Sequence, residues 1–374
     1  MVAPRGHDCI AVGTLALRVG GMMGLMKWAG FVMMMGCSLF GAPKAEFVFE
    51  TAPFASSHAS TVIELLDGDL LASWFGGSAE GNPDVAIYTS RRTKTGWAAP
   101  VEVIREPNIP TYNPVLFYTN DGRLWLYYKF GPHPDNWTAG RVFSTDDGKT
   151  WSTPEHLPAG LYGPIRAKPL VLADGTIVSG TSVESYRQWA VWIERSTDGG
   201  KTWMKIGPIT VPVAARGVKG DAPPAVPGSG EWARTDGIIQ PSVVSLGGKH
   251  LRLYARSTAK TGKICVADSN DAGVTWTQAR PIDLPNPNSG IDAVTLKDGR
   301  VVMIYNHTDT GRSPLNLAVS KDGETFRMFE TLESERGEFS YPALVQARNG
   351  DLLMTYTWNR KRIKFVRVPL ADVR

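Results

Sequence analysis

At 374 residues with 43% hydrophobic and 10% aromatic side chains, the chain can bury a large core, which excludes an intrinsically disordered protein. Most of its formal charge of +4 sits in the first 45 residues. Without Arg5, Arg18, Lys27, Lys44 and Asp8, the 40 bases and 36 acids fall to 36 and 35, so nucleic acid has no electrostatic claim on the remainder. Cys9 and Cys37 lie in the same stretch, so Cys265 is alone downstream and an intramolecular disulfide is excluded there.

In chain order the first element is a leader. Met26-Lys27 gives a short basic start, and "WAGFVMMMGCSLFGAPKA" follows as an apolar stretch of signal-peptide length ending in small residues. The expectation is a secreted or periplasmic protein with its true start at Met26, a leader over 1–45 and a single domain over 46–374. The apolar run falls short of the ~20 residues a membrane span needs, so no span is expected in the mature chain. Cys37 in "MMGC" offers a lipid anchor on a poor motif match.

A lone strand follows in "AEFVFETA" (45–52), and then a text repeated six times. Apolar runs flank a turn dipeptide in "VIELLDGDLLASW", "PVLFYTNDGRLWLYY", "PLVLADGTIVSG", "PSVVSLGGKHLRLYARS", "AVTLKDGRVVMIYN" and "PALVQARNGDLLMTY". Asp-Gly, Gly-Gly and Asn-Gly between alternating apolar residues are the strongest short-range hairpin signal. Most units add a third strand, then a Ser-x-Asp-x-Gly-x-Thr-Trp bend: "FSTDDGKTW" (143–151), "RSTDGGKTW" (195–203) and "DSNDAGVTW" (268–276). It is one residue short at "SKDGETF" (320–326) and only a trace at "SRRTKTGW" (90–97). In that bend Ser and Asp side chains bond backbone amides, Gly takes positive φ and Trp packs inward.

Turn glycines Gly68, Gly122, Gly175, Gly248, Gly299 and Gly350 recur every 51 to 54 residues, apart from one step of 73. That step contains the Pro/Gly-rich insertion "VPVAARGVKGDAPPAVPGSGEWART". Four antiparallel strands per unit, six times, predict an all-β, six-bladed β-propeller of four-stranded antiparallel blades. The last unit ends at "RIKFVRVPL" without room for a fourth strand, so the N-terminal strand is expected to complete it and close the ring.

Residues before the first strand of each unit converge on one mouth of a propeller, and the loops between second and third strands open at the same end. The entrances supply His58, Tyr112 and Asn113, Arg166 and Lys168, Asp236 and Gln240, Asn288 and Asp292, and Glu338 and Tyr341. The loops add Trp74, Glu80, Asp84, His133, Trp137, Glu184, Arg187, Arg256, His307, Arg312, Trp358 and Arg360. Any single Arg is more often a solvated charge than a ligand, but cations, carboxylates, a tyrosine and aromatic platforms at one mouth suit an acidic sugar. No His-x-x-x-His pair, thiol cluster or phosphate-cradling Gly-Lys-Ser/Thr loop occurs, so metal, redox and nucleotide chemistry have no support and no cofactor is expected. The expected partner is a glycan or acidic oligosaccharide, bound by a monomer.

From Phe47 to Val373 the chain resembles the sialidase (neuraminidase) superfamily, in its BNR-repeat-like group of exported bacterial exo-sialidases. The resemblance rests on "WFGGSAEGNPDVAIYTSR", "NPVLF", "LPNPNSGIDAVTLKDGR", "RSPLNLAVS", "SYPALVQ" and "YTWNR", and on the bends, which are Asp boxes. It implies three arginines on a substrate carboxylate, a carboxylic acid that protonates the leaving oxygen, and a tyrosine nucleophile activated by Glu. Arg256 in "YARS", Arg312 in "GRSPLNLAVS" and Tyr341 in "EFSYPAL" match. The first arginine is replaced by His58 in "SHAS", the activating Glu by Gln240, and the acid falls to Glu80 or Asp84. Arg166, Lys168 or Arg360 could supply the missing cation, and Glu338 or Asp292 the missing base. These departures leave two alternatives: a propeller rhamnosidase or lyase acting on uronate-containing polysaccharide with His58 catalytic, and a non-catalytic glycan-binding propeller.

Overall fold

The computed structural model describes residues 44–185, 188–212 and 236–374. Residues 1–43 of the expected leader, residues 213–235 of the Pro/Gly-rich insertion and Arg187 lie outside the described residues, whereas Lys44 and Ala45, at the end of the expected leader, are part of a strand. Among the described residues strands supply the regular structure, apart from a 3-10 turn at Leu370–Asp372. No helix there is long and apolar enough to cross a membrane.

Strand β1 (Lys44–Phe47) is followed by six groups. The first holds β2 (Ser56–Glu64), β3 (Leu70–Gly77), β4 (Ala86–Thr93), β5 (Gly96–Trp97) and β6 (Val101–Ile104). The second holds β7 (Thr111–Tyr118), β8 (Leu124–Phe130), β9 (Thr138–Ser144) and β10 (Glu155–His156). The third holds β11 (Leu170–Val171), β12 (Ile177–Glu184), β13 (Gln188–Ser196) and β14 (Met204–Ile209). The fourth holds β15 (Asp236–Gly247), β16 (His250–Ser257), β17 (Lys263–Ser269) and β18 (Arg280–Pro285). The fifth holds β19 (Asp292–Thr295), β20 (Val301–Tyr305), β21 (Leu315–Ser320) and β22 (Arg327–Glu333), and the sixth β23 (Phe339–Gln346), β24 (Leu352–Trp358) and β25 (Arg362–Val368).

Within each group successive strands pair antiparallel, except that β5 and β6 both pair with β4, and each first-to-second turn carries the glycine marked in the sequence. Gly68 at φ 93° and Gly299 at φ 89° occupy a region an L side chain enters only with strain, and the other four share the sign. The third and fourth groups join through a two-residue parallel contact, Gln188 with Asp236 and Trp189 with Gly237.

The missing strand of the sixth group is β1, which pairs antiparallel with β25 from Lys44 opposite Arg367 to Phe47 opposite Lys364. Phe47 meets Trp358 edge-on at 5.4 Å and lies under the Arg362 guanidinium at 3.6 Å. A half-buried ring with an aromatic and a cationic partner contributes roughly 2 kcal/mol. Phe47→Ala is therefore expected to lower the free energy of unfolding by about 2 kcal/mol in denaturant titration. An unchanged midpoint would mean that β1 does not hold the β23–β25 sheet closed.

The core is divided among interfaces between successive sheets. Leu71 and Phe75 pack on Leu116 and Leu126 between the first two groups, and Phe117 and Tyr127 on Ile177 between the second and third. Val191 and Ile193 meet Leu251 and Leu253, Tyr254 and Val266 meet Met303 and Tyr305, and Leu317 and Val302 meet Leu344 and Met354. The series closes on itself: Phe49, Trp74 and Tyr88 pack on Leu353 and Phe365, so the last group covers the first. This is a propeller-like arrangement, and it brings the first strands of all groups to the middle.

The Asp boxes form the β9–β10, β13–β14, β17–β18 and β21–β22 bends. In the first, the Ser144 hydroxyl donates to Asp146 (2.7 Å) and accepts the Gly148 N–H (2.8 Å), while Asp146 accepts the Thr150 N–H (2.9 Å) and hydroxyl (2.6 Å). Ser196 with Asp198 and Ser269 with Asp271 repeat this pattern. The shortened box keeps part of it: the Ser320 hydroxyl donates to Asp322 (2.7 Å), which accepts the Thr325 N–H (2.8 Å). These bends sit at the strand ends opposite the entrances and carry no role in the site.

Candidate active site

At four entrances the first strand contains a bulge. Register shifts fall between His58 and Thr61 in β2, Tyr112 and Val115 in β7, Ile239 and Ser242 in β15, and Ser340 and Ala343 in β23. At each shift one residue has positive φ: Ala59 53°, Asn113 42°, Gln240 53° and Tyr341 49°. The last three precede Pro114, Pro241 and Pro342, which lack an N–H and so break the ladder at low cost. An extra residue re-aims side chains out of the strand's alternation. The positive φ of a bulky tyrosine is an outlier of the kind that persists where surrounding structure enforces it.

Of the positive-φ residues, Asn113, Gln240 and Tyr341 line a cavity of about 440 Å³ together with Glu80, Tyr112, His133, Trp137, Glu184, Trp189, Arg256, Asn288 and Arg312. Tyr341 is the lining residue with the densest set of polar and cationic neighbours. Its phenol oxygen accepts from Arg256 Nη1 (2.9 Å) and Gln240 Nε2 (3.1 Å), and Arg256 also donates to Gln240 Oε1 (3.1 Å) and Asn288 Oδ1 (2.8 Å). Three guanidiniums stand around the ring, Arg166 at 5.4 Å, Arg312 at 5.6 Å and Arg256 at 5.8 Å from its centroid. Asn113 is fixed by its amide, which donates to the Ile165 carbonyl (3.2 Å).

His58 lies against Tyr341, ring centroids 4.3 Å apart, is 1% exposed, and hydrogen-bonds through Nδ1 to Thr357 Oγ1 (2.9 Å). Burial, reinforced by Arg360, Arg312, Arg166 and Arg256, holds its pKa well below 6.5, so the imidazole is neutral. Arg166 is buried under the same ring and donates to the Pro342 carbonyl, and burial lowers its pKa. The segment that carries it is tied down by Glu194, which accepts the Tyr162 (3.0 Å) and Gly163 (2.6 Å) N–H groups, and by the Lys129 ammonium on the Pro164 carbonyl.

Arg312 and Arg360 share one acid: Arg312 Nη1 (3.0 Å), Arg360 Nε (2.9 Å) and the Ser340 hydroxyl (3.0 Å) all donate to Glu338 Oε1. Arg360 also donates to Glu80.

Several sequence candidates sit elsewhere. Asp84 accepts the Ser78 N–H (2.8 Å) and hydroxyl (2.9 Å), which lower its pKa, and so closes the loop that presents Glu80. Lys168 donates to Asp292 (3.1 Å), and Asp292, 1% exposed, also accepts Ser242 Oγ (2.7 Å) and the Leu344 N–H (2.8 Å). Partly exposed Lys168, just ahead of β11, and buried Asp292, at the start of β19, thus pair with each other and do not line the cavity. Trp74 is no platform: it is fully buried, stacked on Phe49 at 5.0 Å. Trp358 packs on Phe47, and the Asp236 side chain lies outside the described residues.

Glu184, at the end of β12, gains importance. Burial in the cavity wall pushes its carboxyl up to about 7 against the pull of Arg256. In sequence it is one polar residue closing an alternating strand, and only its topological position marks it. Among the described residues no group of His, Cys, Asp or Glu is placed to hold a metal ion.

Comparison with known proteins gives this geometry a family. The BNR repeat-like domain matches residues 68–354. A sialidase of Bacteroides fragilis (strain YCH46) is 27% identical over 277 residues, 67% of this chain and 45% of that protein, so the chain spans under half the length of that curated relative. The NanB sialidase of Streptococcus pneumoniae superposes with a TM-score of 0.69 at 13% identity, covering 88% of this chain and 71% of that one. A protein of unknown function from Dyadobacter fermentans DSM 18053 superposes with a TM-score of 0.68 at 17% identity, covering 86% of this chain and 97% of that one. At such identities the structural likeness concerns the fold, whereas the domain match extends over most of the chain. The chain belongs to the BNR repeat-like family of the sialidase superfamily.

Proposed function

We propose that this chain is a six-bladed propeller glycoside hydrolase of the sialidase type, exported by its 1–45 leader, that removes a terminal acidic sugar, sialic acid by default, from glycans. The observation that carries this reading is a cavity-lining phenol that accepts from Arg256 and Gln240 while three guanidiniums stand around its ring. Arg256 and Arg312 grip the substrate carboxylate, for which the planar bidentate fork of arginine is suited. Tyr341 attacks the anomeric carbon. A neutral nucleophile avoids the repulsion that a carboxylate would meet from an anionic sugar. As the Tyr341–carbon bond forms the glycosidic C–O bond breaks, the phenol proton passes to water while the two donors on its oxygen stabilise the developing charge, and a second water hydrolyses the glycosyl-tyrosine. Glu80, in the cavity wall, protonates the departing oxygen in preference to Asp84, whose oxygens already close a loop. His58, neutral and packed on the ring, holds Tyr341 in place. Lys168 and Asp292 brace the strands beneath.

The test is release of a fluorogenic leaving group from a sialoside. Turnover only of uronate-bearing oligosaccharides, lost in His58→Ala, would replace this reading with the uronate enzyme. Glycan binding without turnover across a broad panel would leave a binding module.

Glu184 adds a pH dependence with a definite sign. Below about 7 its carboxyl is protonated and uncharged, and above that it places a negative charge in the cavity. Affinity for an acidic sugar is therefore expected to fall as pH rises through about 7, and Glu184→Gln to flatten that limb of the kcat/KM profile.

A further inference from the structure

Arg360 reaches the site from the β24–β25 turn. That turn is held in an uncommon conformation, with φ 51° at Asn359 and 55° at Arg360. The Asn359 N–H donates to the Glu338 carbonyl (2.8 Å), the Glu338 N–H donates to Asn359 Oδ1 (2.8 Å), and the Ser57 N–H donates to the Arg360 carbonyl (2.8 Å). The turn is thus stitched both to β23 and to β2, beside His58. Glu338 then fixes the guanidinium itself, using the oxygen that also holds Arg312. Two cations share that one carboxylate, so the cluster keeps an excess of positive charge.

The remaining face of Arg360 is taken by Glu80, which comes from a different loop and lines the cavity. The two side chains are 32% and 39% exposed. Ion pairs this exposed are worth roughly 0–1 kcal/mol, so this contact is easily exchanged; the Glu338 pair, 32% and 33% exposed, is held more firmly because the same carboxylate oxygen also accepts from Arg312 and the Ser340 hydroxyl.

We infer that in the free protein Glu80 occupies the position on Arg360 that the carboxylate of an acidic ligand takes on binding, which makes Arg360 a specificity-determining residue for acidic sugars. This rests on the acidic-sugar reading above. Binding is then an exchange of one carboxylate for another: the incoming anion meets a guanidinium already oriented by Glu338, and Glu80 is returned to the cavity unpaired. A ligand without a carboxylate gains nothing from the exchange.

The probes are free N-acetylneuraminic acid and its methyl ester, titrated calorimetrically against the full chain and against Glu80→Gln, Arg360→Gln and the double variant. Removing an exposed internal competitor is expected to tighten the acid about fivefold and leave the ester unaffected. Arg360→Gln is expected to weaken the acid about tenfold or more, as loss of a charge-assisted hydrogen bond does, and to cancel the Glu80→Gln gain in the double variant. If the wild-type chain binds the acid and Glu80→Gln does not tighten it, the exchange is wrong and the acidic-sugar reading stands. If neither the wild-type chain nor Glu80→Gln binds the acid, that reading fails and the exchange with it. Should Arg360→Gln unfold, as thermal melting would show, Arg360→Lys keeps the charge without the fork and is expected to weaken the acid in the same direction.

Discussion

Tyr341→Phe is expected to abolish release of a fluorogenic leaving group from a sialoside, lowering kcat by at least about 10³-fold, the scale on which loss of a covalent nucleophile acts. The substitution removes one oxygen. The ring stays between Arg166, Arg256 and Arg312, whose distances of 5.4 to 5.8 Å to its centroid depend on its π face and not on the hydroxyl. Packing against His58 at 4.3 Å is likewise kept. Arg256 and Gln240 each lose an acceptor, yet Arg256 retains Asn288 and Gln240 Oε1. Affinity for the acid should therefore hold within about fivefold, since an exchanged hydrogen bond is worth about 1 kcal/mol. A kcat within tenfold of wild type, measured on folded protein, would remove Tyr341 from the chemistry.

The parts of the fold that were legible in the sequence are those fixed by local turn chemistry. An Asp-Gly or Asn-Gly pair specifies its hairpin within four residues, and Ser144, Asp146, Gly148 and Thr150 satisfy one another inside one bend. The role of β1 followed from counting strands, because a sixth unit one strand short leaves an open edge. The site was legible to the extent that topology decides it: a first strand must start at the cavity end, which located Asn113, Gln240 and Tyr341.

Which way a side chain faces at that end was not legible, because it depends on a bulge. A one-residue shift exchanges the faces of a strand. β23 has such a shift at Tyr341, whereas β19 pairs continuously from Asp292 opposite Ile304, and Asp292 turns inward to Ser242 and Leu344. Pairing between distant units was equally hidden. Nothing in "YTWNR" announces that Arg360 reaches Glu338 and Glu80, or in "WFGG" that Trp74 stacks on Phe49.

Arg256→Ala carries the second large effect, because this side chain joins binding to chemistry. It is 7% exposed and makes three polar contacts, to Tyr341, Gln240 and Asn288, so truncation leaves partners unsatisfied in a buried place. Loss of its grip on the substrate carboxylate costs about 1.5–3 kcal/mol, which raises KM by roughly 10- to 150-fold. Loss of the donor on the phenol oxygen weakens the charge developing there and lowers kcat by about 10²-fold, as removal of a transition-state donor does. A cation that only held substrate would raise KM and leave kcat alone. The bond to Tyr341 makes the expected signature a change in both, with kcat/KM falling by at least about 10³-fold. Arg256→Lys should recover part of the KM and little of the kcat, since an ammonium cannot span the carboxylate and Tyr341 together. Unchanged kcat in Arg256→Ala would separate the arginine from the tyrosine and leave the phenol without its charged donor.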